Sequence, residues 1–201
     1  MPDETSRGTR SQLARAFLSV CRWKLIGGPP DTQKFVLIAA PHTSNWDLLW
    51  LLMMAWAHEI PIRWLAKAEL FVGPVGWFLR SLGGVPVRRQ QSENRVEVSA
   101  QAFTENERLV LVVPPEGTRS YTDHWRSGFL YIARAAGVPL VPSALDYGAK
   151  VGEIGAPVDP GQHTAEVMDE LRSFYRGRAG RKPELFGPVR LREEAADEIN
   201  E

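Results

Sequence analysis

The sequence lacks the features that would place it in several classes of protein. Its 201 residues include a single cysteine, Cys21, which excludes a framework of intrachain disulfides and any cysteine-rich metal site. It also has no excess of charge of one sign, since 24 basic residues balance 24 acidic residues. No bulk electrostatic field therefore favours nucleic acid, and we expect no nucleic-acid partner.

Long apolar segments are missing as well. The most apolar run, residues 48–57, is about half of the ~20 residues that span a bilayer. The first ten residues lack the apolar core of a signal peptide. We therefore expect a cytoplasmic protein with at most peripheral membrane contact. With 44% hydrophobic residues, the chain is long enough for one sizeable core and short for two domains.

Residues 1–30 are predicted to form an N-terminal region of two parts. A polar tail over residues 1–10 precedes an amphipathic helix over residues 11–26, where apolar side chains recur at helical spacing with basic residues between them. Such a helix packs on the domain or rests on a lipid surface, and the residues leave both open. Residues 31–201 are predicted to form a single domain.

Strand and helix patterns alternate along the rest of the chain. Strands are predicted over residues 34–40, 61–67, 85–89, 108–113 and 140–147, and helices over residues 48–58, 92–106, 126–136 and 163–176. This alternation favours an α/β fold, a layered α/β/α domain with a largely parallel or mixed central sheet. Ligands in such folds bind beyond the carboxyl ends of strands. The loops 41–47 and 114–120 are expected to lie there.

The first of these loops reads P-H-T-S-N-W-D and joins a buried strand to an apolar helix. His42 and Asp47 could form a proton-transfer pair, in which the aspartate holds one imidazole nitrogen and leaves the other free as a base. Ser44 to Asp47 also fits a capping box, with Ser44 as the cap, and this explains Asp47 without catalysis. The residues alone leave both interpretations open.

The second loop places Glu116, Gly117, Thr118 and Arg119 after the clearest predicted strand, residues 108–113. Backbone amides and a guanidinium at such a place suit a phosphate or another anion. A turn with a solvated charge pair is the structural alternative.

Two further arginines, Arg88 and Arg89, end another short predicted strand. They are either exposed charges at the edge of the sheet or further ligands for an anion at the carboxyl ends of the strands.

Four segments together resemble a known family. They are H-x4-D at residues 42–47, G-G-V-P-V-R-R at 83–89, P-E-G-T-R-S at 115–120 and V-P-L-V-P at 138–142. In order and spacing they resemble the four blocks of the glycerolipid acyltransferases of the lysophosphatidic acid acyltransferase type. Three supporting stretches, among them A-K-A-E-L-F at residues 66–71, are similar to the small soluble bacterial branch. The resemblance covers roughly residues 34–191.

This resemblance implies transfer of an acyl chain from a coenzyme A or acyl carrier protein thioester to a lysophospholipid hydroxyl, such as that of 1-acylglycerol 3-phosphate. It implies His42 as the general base and Asp47 as the residue that orients it, with no metal and no cofactor. Lys67 or backbone amides of the loops would stabilise the oxyanion. A peripheral position on the inner face of the cell membrane follows from the lipid substrate.

The resemblance also implies a site for the acceptor's phosphate, formed by residues of the second and third blocks. The residues that match the family are Arg89, Glu116, Gly117, Thr118 and Arg119, and we expect the neighbouring Arg88 to take part in binding as well. Arg88 replaces the acidic residue that is common in the family, and Pro41 replaces a common asparagine. Because of the extra charge at Arg88, the acceptor's head group stays open.

Three alternatives to a lysophospholipid acyltransferase remain. One is an acyltransferase for a glycolipid or another non-phosphate acceptor. The second is a thioester or ester hydrolase, although Ser44 lacks the strand-turn-helix context of a nucleophile elbow. The third is a non-catalytic lipid-binding module.

Overall fold

The computed structural model describes residues 4–87 and 95–197. The α-helices in these residues are α1 (Glu4–Val20), α2 (Trp46–Ala57), α3 (Gly73–Ser81), α4 (Arg95–Glu105), α5 (Gly128–Ala136), α6 (Thr164–Tyr175) and α7 (Arg192–Asp197). The strands are β1 (Lys24–Gly27), β2 (Lys34–Ala39), β3 (Ile62–Lys67), β4 (Gly84–Val87), β5 (Leu109–Val113), β6 (Leu140–Asp146) and β7 (Val151–Ile154). Short 3-10 helices cover Ala68–Leu70 and Pro183–Leu185.

Within the described residues, seven strands form one sheet in the order β1, β7, β6, β2, β5, β3, β4. Neighbouring strands are parallel except β6 and β7, which are antiparallel. The two strands with continuous apolar runs, β2 and β5, pair near the centre, where nearly all their side chains are buried. Such runs are typical of parallel strands covered on both faces. The predicted α/β fold with a largely parallel or mixed sheet is confirmed.

Helices cover both faces of the sheet, and the side chains of β2 alternate between two apolar clusters. Val36 and Ile38 belong to a cluster that also contains residues of α4, α5 and α6. Phe35 and Leu37 belong to the other, together with residues of α1 and α2. Because successive side chains of a strand point to opposite faces, one apolar strand contributes to both cores. This is the layered α/β/α arrangement that the sequence predicts.

The start of α1 differs from the prediction of a polar tail over residues 1–10, since the helix already begins at Glu4. The Ser11 hydroxyl and the Arg15 guanidinium both donate to the carbonyl oxygen of Ala57, at 3.2 Å and 2.6 Å. Polar contacts with the end of α2 therefore add to the apolar packing of α1. Both contacts lie within the residues predicted as helix, so they anchor α1 on the domain but do not account for its earlier start.

The end of α1 also differs from prediction. The helix stops at Val20, and Lys24–Gly27 forms strand β1 instead of continuing the predicted helix over residues 11–26. The backbone turns at Arg22, whose φ of 59° lies in the left-handed region and cannot continue a helix. β1 then pairs in parallel with β7, more than a hundred residues along the chain.

One edge of the sheet brings the loops of interest together. We call it the carboxyl edge, since β2, β3, β5 and β6 end there. The turn 41–47 follows β2, and the loop 114–120 follows β5. β7 begins at the same edge, because Val151 pairs with Asp146 at the end of β6, and β1 begins beside it.

Candidate active site

The turn after β2 holds the His42–Asp47 pair. The Ala40–Pro41 peptide bond is cis, and the following residues lead into α2. The Nδ1 atom of His42 lies 3.2 Å from Oδ2 of Asp47. Asp47 is buried, whereas 27% of the His42 side chain is exposed. The structure therefore brings the two residues into contact and leaves the imidazole accessible from solvent.

Asp47 makes further hydrogen bonds that fix its carboxylate. Its Oδ2 atom accepts from the backbone N–H groups of Thr43 and Ser44, both at 2.9 Å. Capping therefore explains part of its environment, as the sequence predicts, but α2 begins at Trp46 and its N-cap is Asn45, not Ser44. The turn is one residue longer than the capping-box pattern indicates. A carboxylate held by two N–H groups can cap the helix and orient His42 at once.

The contact with Asp47 decides which imidazole nitrogen can act as a base. A carboxylate beside Nδ1 favours the tautomer that carries its proton on Nδ1. Nε2 is then the unprotonated nitrogen, and it is the atom that can accept a proton from a substrate hydroxyl.

Glu116 connects the second loop to the turn 41–47. Its carboxyl group accepts the backbone N–H of His42, at 2.8 Å to Oε2 and 3.2 Å to Oε1, and the residue is only 4% exposed. Burial, opposed by the hydrogen bond from the His42 N–H and assisted by the Asp47 carboxylate, raises the pKa of Glu116 to about 8. The carboxyl group is therefore directed at the histidine backbone and away from solvent.

The rest of the second loop lies at the surface next to the start of α2. The Arg119 guanidinium donates to the side-chain oxygen of Asn45, so it is held at the turn 41–47. Gly117 has a φ of 65°, which favours glycine, and Thr118 accepts the N–H of Ser120 at 3.1 Å. Among the four residues of this loop that were predicted to bind an anion, Arg119 supplies a positive charge, and its side chain is exposed.

The other predicted site residues belong to β3 or follow β4 in the sequence. Lys67 ends β3 at the carboxyl edge and is exposed. It pairs in register with Val87, the last residue of β4. Arg88 and Arg89 follow immediately but lie outside the described residues.

One residue of the site was missed by the sequence reasoning, although a signal for it exists. The Tyr147 hydroxyl donates to Oδ1 of Asp47 at 2.7 Å. Burial and the Asp47 carboxylate raise the pKa of this phenol above its ordinary value, so it stays a donor. Tyr147 directly follows β6, so the rule that ligands bind at carboxyl ends of strands could have singled it out.

An α/β sheet with a histidine base, its aspartate and a cationic loop on one edge defines a candidate enzyme of proton-assisted group transfer. The acyltransferase family model matches residues 28–146, more than half of the sequence, and the chain belongs to this acyltransferase family. The prediction of an acyltransferase is confirmed at this level.

Comparison with known proteins shows a similar fold in a solved structure. No curated protein matches the sequence. The crystal structure of PlsC, the 1-acyl-sn-glycerophosphate (LPA) acyltransferase from Thermotoga maritima, is similar, with a TM-score of 0.57 and 22% sequence identity. The match covers 85% of this chain and 78% of that chain. At this identity the likeness concerns the fold.

Proposed function

We propose that this protein transfers a fatty acyl group from an acyl thioester to the hydroxyl of a lysophospholipid such as 1-acylglycerol 3-phosphate. The observation that carries the proposal is the 3.2 Å contact between His42 Nδ1 and Asp47 Oδ2 at the carboxyl edge, in a chain of the acyltransferase family. The fold shared with PlsC supports the choice of acceptor.

In the proposed reaction, Nε2 of His42 removes the proton of the acceptor hydroxyl as its oxygen attacks the thioester carbonyl carbon. The carbon–oxygen bond of the new ester forms and the carbon–sulfur bond breaks. The leaving thiolate takes the proton back from the imidazolium. Asp47 stabilises the imidazolium, and general-base help of this kind contributes about 10²- to 10⁴-fold to a rate. Lys67 or loop amides would stabilise the oxyanion.

We propose that Glu116 positions the base and does not contact the acceptor's phosphate. Its carboxyl group is buried and occupied by the His42 N–H. The phosphate is then proposed to bind to Arg119, which Asn45 holds beside the catalytic turn. Arg88 and Arg89 stay predicted members of this site, as do Gly117 and Thr118.

Contact with a membrane surface is part of the proposal, because the acceptor is a lipid. Large apolar side chains are exposed around the start of α3, by 53% to 72% of their surface, and they are Leu70, Val72, Val75, Trp77 and Phe78. We call them the 70–78 surface. The segment follows β3 directly, so it begins at the carboxyl edge that carries His42. None of the helices in residues 4–87 and 95–197 combines the length and apolarity that spanning a membrane requires.

Charges near the 70–78 surface suit the headgroup region of a bilayer. Exposed Lys67 precedes it, and Arg80 follows it with its guanidinium 5.4 Å from the centre of the Phe71 ring. An apolar face flanked by basic side chains is typical of helices that lie in the plane of the interface.

The proposal is tested by incubating purified protein with mixed acyl-CoAs and a panel of lysolipids, with products identified by mass. The panel contains 1-acylglycerol 3-phosphate, 1-acylglycerol without phosphate and a glycolipid. We expect diacylglycerol 3-phosphate as the main product. Equal acylation of the phosphate-free lipid would contradict the proposed acceptor, and acceptor-independent release of fatty acid would identify a hydrolase.

A further inference from the structure

A groove of about 670 Å³ opens beside the catalytic turn, on the side of β6 and away from the loop that carries Arg119. Tyr147 lines it, and this is the residue that donates to Asp47. The groove lies at the carboxyl edge, where β6 ends and where β7 and β1 begin. The groove therefore lies next to His42 and is distinct from the proposed phosphate site.

The charge of the groove is positive. Arg22, Lys150 and Arg181 line it, and no acidic residue among those the structure describes does so. In the part of the chain that the structure describes, no carboxylate forms an ion pair with any of the three. Exposed cations that converge without a protein counter-ion suit an anionic ligand, above all one with phosphate oxygens.

The backbone brings two of these cations together. Arg22 and Lys150 both have a positive φ, 59° and 53°, which is uncommon for residues other than glycine. The two turns are joined, since the N–H of Lys24 donates to the carbonyl oxygen of Lys150 at 2.9 Å. At Arg22 this conformation closes α1, since the N–H groups of Arg22 and Trp23 donate to the carbonyl oxygens of Ser19 and Leu18. The joined turns hold two basic residues side by side on the groove.

The walls of the groove are aromatic. Trp23 and Trp50 stack with their ring centres 4.5 Å apart, and the Tyr147 ring lies edge-on to Trp23 at 5.2 Å. Trp46 is half exposed, and the Arg181 guanidinium lies 5.3 Å from the centre of its ring. Flat aromatic surfaces beside cations suit a nucleobase that carries phosphates.

We propose that this groove binds the adenine nucleotide of coenzyme A, the carrier end of the acyl donor. The inference rests on the proposed function and adds to it the identity of the donor. The adenine ring stacks on the exposed tryptophan surface, and the phosphates pair with Arg22, Lys150 and Arg181. The flexible pantetheine arm then leads past Tyr147 to the thioester at His42. Donor and acceptor would thus approach His42 from opposite sides.

Direct binding tests the groove without turnover. The probe is desulfo-coenzyme A, which has the nucleotide and the arm but no thiol, and isothermal titration calorimetry gives its Kd. We expect Arg22→Ala and Lys150→Ala each to raise the Kd about tenfold. The matched control is Arg108→Ala, an exposed arginine before β5 at the opposite edge of the sheet, with no effect. Absence of binding to the wild-type protein, or an equal effect of the control, would overturn the proposal.

A turnover comparison identifies what occupies the groove. The same acyl group is offered as its coenzyme A thioester and as its N-acetylcysteamine thioester, which has no nucleotide, and in a separate assay as its acyl carrier protein thioester. We expect Arg22→Ala to lower the ratio of the two kcat/KM values about tenfold, through the KM for acyl-CoA. Equal losses with both donors would place the acyl chain or the acceptor there instead. A loss confined to acyl carrier protein as donor would assign the cations to an acidic protein.

These two measurements separate failure of the groove from failure of the proposed function. Absence of acyl transfer from every donor would overturn the proposed function, while desulfo-coenzyme A binding still decides the groove. Transfer from the short thioester without nucleotide binding would overturn the groove and leave the proposed function intact.

Discussion

The phenol of Tyr147 donates a 2.7 Å hydrogen bond to Oδ1 of Asp47, while His42 contacts the other carboxylate oxygen, Oδ2. The Asp47 carboxylate thus contacts two side chains and also accepts hydrogen bonds from two backbone N–H groups of its own turn. A third residue, supplied by the end of β6, thus fixes the group that orients the base. Outer partners of this kind keep a histidine in one tautomer and one orientation.

Replacing Tyr147 by phenylalanine should therefore weaken catalysis more than binding. The Tyr147→Phe variant loses one hydrogen bond to a carboxylate, and we expect kcat to fall roughly tenfold with little change in the acceptor KM. The control is Tyr131→Phe on α5, where the ring is half exposed. Steady-state kinetics on both variants check this. A rise in KM at constant kcat would assign Tyr147 to binding and contradict its positioning role.

Glu116 should make stability depend on pH. Its pKa is raised to about 8 in the fold from an ordinary value of 4.5, so the folded state binds the proton more tightly than the unfolded state. Between these values the folded state holds more protons, and the free energy of unfolding falls as pH rises. Glu116→Gln imitates the protonated form and should remove this dependence.

The measurement for Glu116 is urea unfolding of both proteins from pH 5 to pH 9. We expect similar stabilities near pH 5 and a growing disadvantage of the wild type above it, with a slope of at most about 1.4 kcal/mol per pH unit. Parallel curves for the two proteins would show that the carboxyl group titrates normally.

The 70–78 surface should carry membrane binding. Val75→Asp places a charge on this surface, and we expect its partition coefficient into vesicles of anionic and zwitterionic phospholipid to fall about tenfold. Val98→Asp on α4 is a matched control, since Val75 is 62% and Val98 60% exposed. Vesicle flotation measures both. An equal loss in the two variants, or none in Val75→Asp, would be evidence against this surface.

Gly117 should be needed for the left-handed backbone conformation that it adopts. Its φ of 65° is strained for any other L residue, and an added Cβ would lie 2.7 Å from Nε of Arg126. We expect Gly117→Ala to destabilise the protein by about 1 kcal/mol. Gly128→Ala is the control, because an added Cβ there meets no atom within 4 Å and the residue is helical. Thermal unfolding gives both changes, and a Tm for Gly117→Ala equal to that of the control would contradict the argument.

Much of the fold could be predicted from local patterns. The apolar runs of β2 and β5 indicate strands buried on both faces, and the loops that follow them had to meet at one edge of a parallel sheet. The contact between His42 and Asp47 follows because the two residues share one short turn. Here the sequence distance is small, and helix-start chemistry restricts the geometry.

Long-range contacts could not be predicted in the same way. Tyr147 and Asp47 are 100 residues apart, and neither carries a local pattern that selects the other. The pairing of β1 with β7 likewise depends on where two distant turns meet, whereas the local pattern predicts residues 24–26 as the end of a helix. The buried position of Glu116 depends on the same meeting of loops, whereas its sequence context indicated only an exposed anion site.

The central claim is that His42 is the base of an acyl transfer. Its most direct test is the turnover of His42→Ala with acyl-CoA and 1-acylglycerol 3-phosphate, accompanied by a check of the fold through circular dichroism and Tm. The control is His124→Ala, since His124 also contacts an aspartate, Asp123 at 2.6 Å, but at an exposed site. We expect a folded His42→Ala protein whose kcat is lower by about 10²- to 10⁴-fold, and a His124→Ala protein with wild-type turnover. A folded His42→Ala protein that keeps its turnover would contradict the account.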